Sequence, residues 1–224
     1  MSASEIGSIV PRRGDRVYGE GELALDRAIH WLGIGTGAVG AVALLIVFVS
    51  NHGARGLVAV VVYAVCLMAM LCCSAAYNLS LPSPRQEWLR RLDHAAIFLM
   101  IAGTYTPFTV LCLRGGWSIL LTAVVWSVAL LGAAAKFLFP RRLEGASVAV
   151  YLALGWVGII AARPIAAALD LPSLILLGAG GLLYTVGTAF HLWRRLPFQN
   201  AIWHACVLSA AACHYAAIML SAAL

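Results

Sequence analysis

The sequence predicts an all-α protein, a bundle of seven membrane-crossing helices. Apolar residues make up 62% of the 224 residues and charged residues 11%, against about 45–50% and 25% in soluble domains. The mean hydropathy is +0.93. The apolar residues fall into seven separate runs, at 28–50, 57–79, 94–113, 117–139, 146–168, 172–193 and 201–223. Most reach the ~20 residues that a helix needs to cross ~30 Å of hydrocarbon. Within each run the apolar character is continuous rather than alternating, which argues against strands, and open sheet edges cannot face lipid.

The first 27 residues are polar and of mixed charge. They read as a cytoplasmic N-terminal segment (1–27) ahead of a seven-helix transmembrane domain (28–224). No apolar core followed by a small-residue cleavage site occurs there, so no secretory signal is expected. The first run carries Gly33, Gly35, Gly37 and Gly40, and the sixth carries Gly178, Gly180 and Gly181. Small residues of this kind let helices approach closely in a membrane. The second run ends on Ser74 and Asn78. A polar turn then leads to the third run, which opens on Asp93-His94 and contains Gly103 to Pro107. Pro107 should kink or end the regular helix bonding. The fifth run is the weakest, because Arg163-Pro164 interrupts it near its end. All six cysteines lie inside apolar runs without a Cys-x-x-Cys spacing, which points to packing residues rather than a disulfide or metal framework.

Basic residues set the expected orientation. Arg12, Arg13, Arg16, Arg27, Arg85, Arg90, Arg91, Lys136, Arg141, Arg142, Arg194 and Arg195 fall on one side, and only Arg55, Arg114 and Arg163 on the other. By the positive-inside rule the N-terminus is cytoplasmic and the C-terminus outside. The net charge of +6 then belongs to a face that anionic lipid heads favour. Because the arginines are spread over separate short segments, nucleic acid is not an expected partner. Fourteen arginines to one lysine, with abundant alanine, point to a bacterial chain and so to an integral protein of the plasma membrane.

This topology brings distant polar residues to one side. Ser74 and Asn78 are four residues apart on one helix face, as are Asn200 and His204 on another. With both faces turned inward, Ser74, Asn78, Asp93, Asn200 and His204 should surround one polar pocket. Simpler roles compete at each position. Asn78 and Asn200 could be packing hydrogen bonds, Asp93 could cap the third helix, and His94 could be an interfacial residue. His214 is about 80° round the helix from His204 and should not share a ligand with it. His30 and His191 could supply substitute donors.

Several motifs resemble the hemolysin III group, which belongs with the progestin and adipoQ receptors and is related to alkaline ceramidases. They are Ser74 to Asn78, Leu92-Asp93-His94, Ile101 to Pro107, Leu183 to Gly187, Asn200 to His204 and Cys213-His214, with Glu22 and His30. The resemblance implies seven helices and a zinc ion near the cytoplasmic face. Three histidines would hold the zinc, one on the second span and two on the seventh, with Ser74 and Asp93 assisting hydrolysis of a lipid amide or ester. Here Asn78 and Asn200 stand where the group has histidine, and His204 alone remains. Amide oxygen is a poor zinc donor, so a degenerate site that does not hold zinc tightly is expected.

Three functions stay open. One is a lipid- or sterol-sensing or membrane-homeostasis protein, which the missing histidines favour. Another is a zinc-dependent hydrolase with Asp93 and Ser74 as catalytic residues and His204 as metal ligand. The last is a pore-forming cytolysin or small transporter, for which neither a duplicated half nor a ring of charges is visible.

Overall fold

The computed structural model describes residues 12–13, 16–51, 53–81, 83–139 and 144–221. A two-residue ribbon pairs Arg12–Arg13 with Arg16–Val17. The rest is helical: α1 Glu20–Asn51, α2 Gly53–Leu79, α3 Gln86–Pro107, α4 Gly115–Leu138, α5 Glu144–Trp156, α6 Ala162–Ala168, α7 Leu171–Leu192 and α8 Gln199–Ser221. Together α5 and α6 form one span, so seven helical segments are long and apolar enough to cross a membrane. Large apolar side chains such as Val39, Ile46, Ile119 and Leu131 point outward, as a lipid-facing surface requires. Arg141 and Arg142 lie outside the described residues, as do the side chains of Arg12, Arg13 and Arg16.

Two helices begin about eight residues ahead of their apolar runs. α1 starts at Glu20 because Glu22 turns back to accept the Gly19 N–H at 2.9 Å, a capping arrangement that satisfies an otherwise orphaned donor. α3 starts at Gln86, where Glu87 bonds Arg90 at 2.7 Å and Arg91 at 3.3 Å. Ion pairs at these spacings support a helix beyond its buried part. Asp93 therefore lies inside the helix, and the reading of it as the N-cap is corrected.

The stretch from Gly103 to Pro107 organises three neighbours. Gly103 lets α2 come close: a Cβ there would lie 2.6 Å from Cβ of Cys66. Thr106 accepts the Trp126 indole N–H at 3.1 Å from α4. Pro107 is followed by a π-helical turn, Phe108–Cys112, whose wider ring takes up the bonding the proline disrupts. Tyr105 holds a break in the fifth span. Its hydroxyl donates to the Gly155 carbonyl at 2.6 Å and accepts the Gly158 N–H at 2.9 Å, on either side of the start of a 3₁₀ segment, Val157–Ala161. This break precedes Arg163-Pro164. Pro164 falls in the first turn of α6, where its missing N–H costs no hydrogen bond.

α3 contributes to two apolar cores. One gathers Leu44, Phe48, Val60, Tyr63, Met100 and Ile218, and the other Phe98, Leu121, Val125, Ala129 and Leu154. Glycine tightens several helix pairs. A Cβ on Gly37 would lie 2.6 Å from Leu71, and one on Gly180 2.5 Å from the His214 ring. Gly35 and Gly178, expected to serve the same purpose, have nothing within 4 Å. A cavity of about 1710 Å³ lies between α3 and the pair α5 and α7, reaching α2 and α8 at its polar end.

Candidate functional site

The start of α1, the end of α2 and the start of α8 meet at the end of the bundle where the chain enters α1. Glu22 fastens the junction, because its second carboxylate oxygen accepts the Phe198 N–H at 2.6 Å. Phe198 has φ 57°, a left-handed conformation unfavourable for a bulky residue. A bond to a charged acceptor helps to hold it.

Asp26 and His30 follow Glu22 at successive four-residue steps, so all three share one face of α1. His204 Nδ1 lies 2.6 Å from Asp26 Oδ1. A carboxylate accepts, so Nδ1 carries the proton and Nε2 keeps a lone pair. His30 Nδ1 lies 2.7 Å from the Asp26 carbonyl, and its Nε2 lies 3.3 Å from Ser74 Oγ. The carbonyl can only accept, so Nδ1 is again protonated and Nε2 accepts the serine hydroxyl. Asn78 Nδ2 donates to Ser74 Oγ at 3.3 Å and to the Ser74 carbonyl at 3.0 Å. Donors and acceptors thus run in one consistent sense from Asn78 through Ser74 to His30. The His30 and His204 rings pack edge to face, 4.4 Å apart. Asp26 and His30 are buried, where a carboxylate without partners would be costly.

The five residues expected to gather, Ser74, Asn78, Asp93, Asn200 and His204, all line this cavity. Ser74 and Asn78 bond each other directly, while His204 reaches them through Asp26 and His30. Among the described residues no hydrogen bond joins Asn200 to this set. His191 packs on Trp203 at 5.1 Å and His214 Nε2 lies 3.4 Å from the Leu177 carbonyl. Neither belongs to the cluster.

Asp26 was not among the expected site residues, because it lies in the stretch read as a polar N-terminal segment. Its sequence signal is the ladder Glu22, Asp26, His30, which only a helix beginning before the apolar run would align. With Asp26 and His30 in place, His204 is no longer a solitary donor. One donor atom from each of Asp26, His30 and His204 lies within 4.8 Å of the others. Two imidazole nitrogens and a carboxylate oxygen suit zinc chemically. For Asp26 to ligate together with both rings, the His204 Nδ1–Asp26 hydrogen bond must give way, and a ligating His30 Nε2 must release the Ser74 hydroxyl, with loss of a proton as the metal binds.

The fold and this site define a class, seven-span membrane proteins with a histidine- and carboxylate-bearing polar cluster buried at one end of the bundle. Residues 24–215 match the haemolysin-III related family, and the chain belongs to that family. It is 37% identical over 183 residues to the hemolysin-3 homolog of Bacillus subtilis (strain 168), covering 81% of this chain and 86% of that protein. Hemolysin-3 of Bacillus cereus is 42% identical over 179 residues, covering 78% and 80%. The monocyte to macrophage differentiation factor of Homo sapiens is 28% identical over 165 residues, covering 70% and 67%. No solved structure gives a significant match.

Proposed function

We propose that this protein is a lipid-sensing member of the haemolysin III family, with the large cavity as its ligand site and Asp26, His30 and His204 as a shifted metal site. The observation that carries this reading is the lining of the cavity. Ser74, Asn78, Asp93 and His204 stand at one end, and Met100, Phe108, Leu121 and Ile165 continue it as an apolar shaft. Such a lining suits a molecule with a polar head and a long apolar tail. Its volume, about 1710 Å³, exceeds the roughly 300–1,000 Å³ of pockets for drug-sized ligands. Asn78 takes no ligand role in this reading, and its amide holds the Ser74 hydroxyl in line with His30. Elemental analysis of the purified protein, with thermal unfolding in the presence and absence of a lipid extract and a chelator, tests the proposal. Zinc and lipid should each raise the unfolding midpoint, by mass action on the folded state.

A second reading, a lipid amide or ester hydrolase, is favoured by one observation: Asp93 and Ser74 line the same cavity as His204. Zinc held by Asp26, His30 and His204 would supply Lewis acidity for such a cleavage. Asp93 would take a proton at its carboxylate, and the Ser74 hydroxyl would orient the reacting group. Release of fatty acid from acyl-amide or acyl-ester lipids by the zinc-loaded protein, lost in Asp93→Asn, would put this reading first. Leakage of dye from liposomes carrying the protein would favour a pore instead.

A further inference from the structure

The first turns of α3, ahead of its apolar run, carry a basic and aromatic stripe. Arg85, Trp88 and Arg91 follow one another at three-residue steps and so lie together along the helix. None of them lines the cavity. Trp88 is 58% exposed, at the end of a span where indoles favour the boundary between lipid and water. The Arg91 guanidinium lies over the Trp88 ring, 5.1 Å from its centre. That ring packs in turn on Phe137 of α4, with centres 6.1 Å apart. Stacking of this kind holds a planar guanidinium in one place.

The charge along this stripe is positive. Glu87 divides its carboxylate between Arg90 at 2.7 Å and Arg91 at 3.3 Å. Arg91 uses only its Nε–H there, and its terminal nitrogens have no partner among the described residues. The Arg85 side chain makes no hydrogen bond or ion pair among the described residues either. Next to the stack, Phe137, Ala134 and Leu130 share a face of α4, and all three are at least partly exposed. They form an apolar track about 10 Å long that leads from the basic stripe into the membrane.

We propose that this stripe is a surface site for a phospholipid of the surrounding leaflet whose head carries a net negative charge. The lipid phosphate accepts the N–H groups that Arg85 and Arg91 leave unused, and an acyl chain lies along Phe137, Ala134 and Leu130. A free phosphate has no use for the apolar track. A zwitterionic head finds no uncommitted carboxylate for its ammonium group, because Glu87 is already shared by two guanidinium groups. Neither the cavity ligand nor the metal site enters this assignment.

Native mass spectrometry of the full-length protein in neutral detergent, titrated with dioleoyl phosphatidylglycerol or dioleoyl phosphatidylcholine, reads the selectivity without any variant. The first phosphatidylglycerol should be retained at about tenfold lower concentration than phosphatidylcholine, as two basic residues at the membrane surface allow. Excess inorganic phosphate should not displace it. Arg91→Gln combined with Trp88→Leu should abolish the preference, while Trp88→Phe keeps an aromatic face under Arg91 and should retain it. Arg27→Gln removes an exposed charge from α1, away from the stripe, and should also retain it. Thermal unfolding of each variant without lipid verifies that it is folded. Equal retention of the two lipids by the unmodified protein overturns the proposal. So does a loss in Arg27→Gln as large as that in the double variant, which would mark general attraction to a basic face. Displacement of the bound lipid by inorganic phosphate would leave an anion site and overturn the lipid assignment.

Discussion

His204 Nδ1 is directed at the Asp26 carboxylate, and the charge that would hold a cation between them comes from Asp26. Asp26→Asn preserves shape and an accepting oxygen but removes that charge. It should lower zinc affinity by at least about tenfold, and titration of the purified variant measures the loss. Asn78→His with Asn200→His, placed in the Asp26→Asn background, should restore binding by supplying the histidine set that the family resemblance implies. Failure of that rescue in a folded protein would mean those positions do not converge on His204. Ser74 is a separate case, because its hydroxyl joins Asn78 to His30. Ser74→Ala removes a partner from both and should destabilise the fold by about 1–3 kcal/mol, read as a lower unfolding midpoint.

α3 is the element on which both cores and the cavity depend, and its glycine and tyrosine are its sensitive positions. Gly103→Val would drive a side chain into Cys66 and should cost about 1–3 kcal/mol by overpacking. Gly178→Ala meets open space and should keep the midpoint or raise it slightly, since alanine is the better helix former. Comparing the two in one thermal-unfolding series separates glycines that allow close helix approach from those that only share their composition. The runs marked all seven spans, because hydropathy reports on lipid contact and every span has it. They did not mark where α1 and α3 begin, since those first turns are held by Glu22 and Glu87 rather than by burial. This is why Asp26 stayed hidden while Ser74, Asp93 and His204 could be read. The break in the fifth span was likewise placed at a proline, when the Tyr105 hydroxyl positions it about two turns earlier.

At the scale of the whole molecule, an odd number of spans puts the two ends of the chain on opposite faces. The distribution of arginine and lysine predicts the N-terminus in the cytoplasm and the C-terminus outside. Reporter fusions at each end test this, and a cytoplasmic C-terminus would contradict it. On that orientation the polar cluster and the polar end of the cavity lie on the cytoplasmic side of the bilayer. The apolar shaft extends toward the outer leaflet, so a lipid bound there would lie with its polar head inward. The site is built from α1, α2 and α8, distant in sequence, so any variant that loosens the bundle should weaken metal and lipid binding together.

The most direct test of the shifted site is the zinc content of the unmodified protein after purification without chelator, set beside Asp26→Ala and His30→Ala. The account predicts about one zinc per chain in the unmodified protein and a clear loss in both variants, with the zinc-dependent gain in unfolding midpoint lost in parallel. An unmodified protein that binds no zinc when titrated, or one whose zinc is undiminished in both variants, would contradict it.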